Sequence, residues 1–134
     1  MNKYDDAGKL ILRVALGVLI LLHGIAKMTN GISGVMNMVA QQGWPTFVAY
    51  GVYIGEVVAP VLLIVGLFTR LSALIVAANM IAAVVLAHSS QLFDLGRTGG
   101  WQLELQGMFF FSAVAVALFG AGRYSVGGAG GRWN

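Results

Sequence analysis

The sequence predicts an all-α integral membrane protein: an antiparallel bundle of four transmembrane helices, with a short interfacial helix between the first and second spans. Three observations predict it. Of the 134 residues, 58% are hydrophobic, and the mean hydropathy is +0.82. Charged side chains make up 10% of the chain, against about 25% in a typical soluble domain, which is too little polar surface to coat a water-soluble globule. The same figures exclude a disordered chain, which needs low hydrophobicity and high charge. Finally, four apolar segments, at about 10–26, 47–68, 71–87 and 103–119, approach the roughly 20 residues that cross a hydrocarbon core of ~30 Å. They leave room for a single membrane domain over 1–134 that closes in a glycine-rich tail at 120–134.

The first span follows a segment carrying Asp5 and Asp6, and no small-residue cleavage site precedes Lys27. It is read as an uncleaved helix and not as a signal peptide. Between spans one and two, Ile32, Val35, Met36 and Val39 recur at helical spacing before the stop at Gly43, Trp44 and Pro45, the pattern of a short helix lying in the membrane interface. Spans two and three are separated by a very short turn read at Thr69 and Arg70, which forces an antiparallel hairpin. A polar loop from His88 to Trp101 leads into span four, with Trp101 suited to the headgroup level. Four spans put both termini on one side. Lys3, Lys9, Arg70, Arg123 and Arg132 then share the side of the termini, with Lys27 and Arg97 opposite, so the positive-inside rule predicts cytoplasmic termini.

Polar residues inside such spans are costly, and they point to function. On helix one, Arg13, Gly17, Ile20, Gly24 and Lys27 fall within a wedge of ~80°, with His23 at its edge. On helix two, Glu56 stands at mid-span four residues before Pro60, whose missing N–H deprives the Glu56 carbonyl of its helical partner. A charged Glu56 there needs Arg13, Lys27 or another cation beside it. Gly51 and Gly55 form a small-residue stripe suited to close helix contact, including contact with a second copy of the chain. Asn79 lies at mid-depth on helix three, and Trp101 and Glu104 open helix four. The topology gathers His23, Lys27, His88, Trp101 and Glu104 at the outer end, above Glu56 and Asn79. An outward-opening polar pocket of this kind suits an amphipathic ring whose oxygens exchange protons, such as a quinone, although spacing alone does not single that ligand out.

The run from Arg13 through Gly17, His23 and Gly24 to Lys27, then Glu56 ahead of Gly66-Leu-Phe-Thr-Arg70, then Glu104 and the ending Gly120-Ala-Gly-Arg-Tyr-Ser125, resembles the DoxX family of bacterial membrane proteins. The resemblance covers nearly the whole chain. It departs in the tail, where Val126 and a glycine run stand in place of the aspartate expected after Ser125. It implies a four-helix inner-membrane protein carrying an oxidoreductase label, with Arg13, His23, Gly24, Lys27, Glu56, Arg70 and Glu104 as the positions to follow.

Three function classes follow. In the first, a quinone-linked oxidoreductase or its accessory subunit uses His23, Lys27 and Glu104 on quinone oxygens and Glu56 for protons, with Arg13, Gly24, Asn79, His88 and Trp101 completing the pocket. In the second, a non-catalytic scaffold recruits soluble redox or stress enzymes through its termini. In the third, a small transporter or a haem or metal protein uses His23 and His88. With no cysteine there is no thiolate metal site, two histidines do not make a haem pattern, and scattered basic residues exclude a nucleic-acid partner.

Overall fold

The computed structural model describes residues 3–87, 90 and 92–134, and among these it is helical, with no strand beyond an isolated bridge between Leu95 and Trp101. We number its helices α1 (Lys3–Asn30), α2 (Ser33–Gln41), α3 (Thr46–Val65), α4 (Thr69–Ala87) and α5 (Glu104–Phe119). Three of them, α1, α3 and α4, are long and apolar enough to cross a membrane, whereas α5 is a shorter apolar helix. Leu16 and Ile20 of α1, Ala59 and Leu63 of α3, Val76 and Met80 of α4, and Phe109 and Ala113 of α5 share one core.

Helix α3 changes pitch along its length. A tight 3-10 turn over Thr46–Tyr50 passes through one α turn into a π turn at Ile54–Val58, and α geometry resumes at Ala59–Val65. The cause is Pro60. The wider turn carries the Ala59 N–H to the Ile54 carbonyl, and the proline then falls in the first turn of the resumed α-helix, where no donor is required. The irregularity that the sequence places at Glu56 and Pro60 thus takes the form of a π turn containing Glu56.

The other end of α3 is closed by Gly66, whose φ of +79° is in the left-handed region that glycine enters without a Cβ penalty. The N–H groups of Gly66 and Leu67 both donate to the Leu62 carbonyl, at 2.8 and 3.0 Å. Helix α3 therefore stops earlier than the hydropathy predicts. The turn occupies residues 66–68, and Thr69 and Arg70, expected in the turn, begin α4.

Helices α1 and α3 approach so closely that glycine is required between them. A Cβ at Gly17 would lie 2.8 Å from Ile64 Cγ1 and 2.9 Å from the Pro60 carbonyl oxygen, and one at Gly24 would collide with the Glu56 carbonyl. Helix α2 lies across one end of these helices, held by a small cluster of Ile32, Val39 and Ala49. The glycine-rich tail covers the opposite end. Val126 and Gly127 donate to the carbonyls of Val65 and Gly66, each at 3.0 Å, and Arg70 N–H donates to Trp133 at 2.8 Å. The Asn134 side chain accepts from Thr69 N–H at 3.0 Å and donates to the Gly128 carbonyl at 2.6 Å.

Candidate functional site: an ion pair on the wall of a cavity

The charges on the α1 stripe go to different ends of the molecule. Arg13 is 1% exposed. Its Nη1 donates to the carbonyls of Leu63 and Ile64 at 2.6 and 2.8 Å, and its Nη2 to Tyr124 at 2.7 Å. The Leu63 and Ile64 carbonyls belong to the last turn of α3, which the Gly66 turn leaves open, and a cation also complements the negative end of the helix dipole. Arg13 therefore seals the end of α3 and ties it to the tail, far from Glu56.

Lys27 is the cation that meets Glu56. Its Nζ donates to Glu56 Oε1 at 2.6 Å, while Asn79 Nδ2 donates to Oε2 at 3.2 Å. Three helices thus converge on one carboxylate that is only 4% exposed. The neighbouring glycines make this convergence sterically feasible. Gly24 admits the Glu56 backbone against α1, and a Cβ at Gly55 would stand 2.6 Å from Asn79 Cγ.

The trio lies on the wall of a cavity of about 520 Å³ between α1, α3, α4 and α5, which α2 covers with Val35, Met38 and Val39. His23 lines it as well. Its Nδ1 sits 3.0 Å from the Leu19 carbonyl, an oxygen that only accepts, so in the neutral ring the proton is on Nδ1 and Nε2 is the acceptor. The ring stands edge-on to Phe109, with centroids 5.8 Å apart. The rest of the lining is chiefly aliphatic, apart from Gln106 of α5. The cavity thus offers an ammonium donor, a carboxylate, an amide donor and an imidazole acceptor against an apolar enclosure, the usual composition of a small-molecule site.

Of the residues singled out in the sequence, the structure brings His23, Lys27, Glu56 and Asn79 together, with Gly24 packed directly behind Glu56. Arg13 lies at the other end. Glu104 is exposed in the first turn of α5, outside the cavity lining, and Trp101 donates its indole N–H to the Leu92 carbonyl at 2.7 Å beside a second, smaller cavity. His88 lies outside the described residues. Gly55 of the small-residue stripe is taken up by Asn79 within the chain, while a Cβ at Gly51 would meet open space. No three His, Cys, Asp or Glu side chains converge as a metal site among the described residues. Gln106 was not singled out in the sequence; it follows Gln102 and Glu104 at the polar start of the last apolar segment, so its signal is weaker than that of Asn79, which stands inside an apolar run.

Taken together, the apolar helices and the buried polar cluster between them define a helical membrane protein. The sequence model of the DoxX family matches residues 8–89, and the chain belongs to that family. A protein of Bacillus subtilis (strain 168) described as "Putative oxidoreductase CatD" is 34% identical to it over 85 residues. That match spans 63% of this chain and 63% of the relative, so less than two thirds of either. No solved structure matches significantly.

Proposed function

We propose that this DoxX-family protein is an inner-membrane protein of four transmembrane helices with cytoplasmic termini, and that its outward-opening cavity binds a quinone for a quinone-linked oxidoreductase, as catalytic or accessory subunit. One observation carries the reading: the Lys27–Glu56–Asn79 cluster stands on the wall of an otherwise apolar cavity of about 520 Å³, within the size range of roughly 300–1,000 Å³ for small-molecule sites. In this reading α5 crosses as a short fourth span, and α2 lies in the outer interface as the roof of the site.

The donor set fits a quinone. Lys27 Nζ supplies a charged donor to a carbonyl oxygen, and the free Nε2 of His23 accepts from the hydroxyl of the reduced form. Glu56, freed from Lys27 when the amine turns to the ligand, takes up or releases a proton within the low-dielectric interior. A bound quinone supplies two-electron chemistry, with the electrons exchanged with a partner redox protein. The oxidoreductase description of the Bacillus subtilis relative agrees with this class of chemistry. The scaffold alternative has less support, because the tail it would offer to partners is hydrogen-bonded across the ends of α3 and α4.

The test is extraction of the purified, membrane-derived protein and analysis of co-purifying quinone. Wild type should carry quinone well above the level of an unrelated membrane protein prepared alike, and Glu56→Gln should carry about tenfold less. Quinone at background level in wild type sinks the proposal.

A further inference from the structure

A second cavity, of about 270 Å³, lies between α4 and α5, bounded by Val84, Phe110, Trp101 and other apolar side chains. It shares two walls with the first: Met80 and Gln106 line both. Both shared side chains are unbranched and flexible, Met80 with a thioether that adapts to irregular gaps. On its far side the second cavity reaches the outer surface of the helices, where its lining residues Ile81 and Phe111 are 53% and 64% exposed. The two cavities are therefore neighbours, set in order from the Lys27–Glu56 cluster towards the exposed face of α4 and α5. Polarity changes from one to the other. The ionisable groups are confined to the first compartment, and Gln106 at the shared wall is the last polar side chain before a wholly apolar one.

We infer that the second cavity is a subsite for the apolar chain of the ligand: a ring with hydrogen-bonding oxygens sits in the first cavity, and a saturated or isoprenoid chain runs past Met80 and Gln106, along Trp101, into the lipid. The inference rests on the quinone reading above and extends it, since that reading requires only a ring. The commitment to a chain comes from adjacency. The second cavity shares Met80 and Gln106 with the polar one and reaches the exposed face of the helices at Ile81 and Phe111. A ring-only ligand held in the first cavity would leave it empty, and beyond Gln106 at the shared wall its lining carries no free group to orient polar substituents.

The experiment uses the full chain in detergent and two probes with the same ring: 2,3-dimethoxy-5-methyl-1,4-benzoquinone, and that ring bearing a decyl chain. Val84→Phe fills the second cavity without touching the first. Affinity for the decyl form should fall about tenfold in Val84→Phe, the scale of lost close packing along a chain, and affinity for the bare ring should stay within about twofold. If Val84→Phe weakens both probes alike, or neither, the chain subsite is wrong while the quinone reading stands. If wild type binds neither probe, both fall together. Should Val84→Phe fail to fold, the native cavity is read directly. With Trp44→Phe and Trp133→Phe leaving Trp101 as the single tryptophan, a chain brominated at its end should quench Trp101 more strongly than the unbrominated chain, and equal quenching overturns the subsite.

Discussion

The two ends of the molecule each bury a charge and treat it in opposite ways. At one end Arg13 is enclosed by three backbone carbonyls of α3 and the tail, to which both of its terminal nitrogens donate. At the other, Glu56 is held by Lys27 and Asn79, and the same side chains face a cavity of about 520 Å³. Burial and charge are therefore common to both ends and do not identify a site. Free volume beside the charge does, because a ligand can compete for Lys27, whereas nothing can approach Arg13.

The largest expected effect breaks the sealed end. Arg13→Met leaves the Leu63, Ile64 and Tyr124 carbonyls without their donor in a buried setting, and it should cost about 3–5 kcal/mol, read as lost folded yield and a lowered unfolding temperature in detergent. An unchanged unfolding temperature would mean that Arg13 does not seal α3. Next comes Gly24→Ala, which forces a Cβ onto the Glu56 carbonyl. Overpacking there should cost about 2–3 kcal/mol and weaken quinone binding as well, because the π turn carrying Glu56 must move. Gly51→Ala, with open space around its Cβ position, serves as its control and should stay within about 0.5 kcal/mol.

A smaller loss is expected from Asn134→Ala, which removes the bonds to Thr69 and Gly128. It should destabilise by about 1–2 kcal/mol without touching ligand affinity; a matching fall in affinity would show that the two ends are coupled.

Much of this arrangement was legible in the sequence, and the remainder for definite reasons was not. The helices come from hydropathy, and the buried stripe Arg13, Gly17, Ile20 and Gly24 is the one that helical spacing groups. The partner of Glu56 was not legible. Arg13 and Lys27 lie on the same stripe about 21 Å apart at 1.5 Å per residue, and which of them meets Glu56 depends on the vertical register of α1 against α3. That register is fixed by Gly17 and Gly24 meeting the carbonyls of Pro60 and Glu56, a steric match between distant segments. Pro60 announces an irregular helix, but not that a π turn absorbs it. The docking of the tail was equally hidden, because its glycines carry no hydrophobic pattern and its order comes from backbone hydrogen bonds to the end of α3. Glu104 shows the converse: helical spacing puts it on a plausible face, yet the first turn of α5 leaves it exposed.

The most direct test of the central claim is a binding titration of purified protein with the bare dimethoxy-methyl-benzoquinone, comparing wild type, Glu56→Gln, Lys27→Met and Asn134→Ala under one condition. The account predicts saturable binding to wild type and Asn134→Ala with equal affinity, and a loss of about tenfold or more in Glu56→Gln and Lys27→Met, with all four proteins folded. Equal affinity across all four, or no binding to wild type, would contradict it.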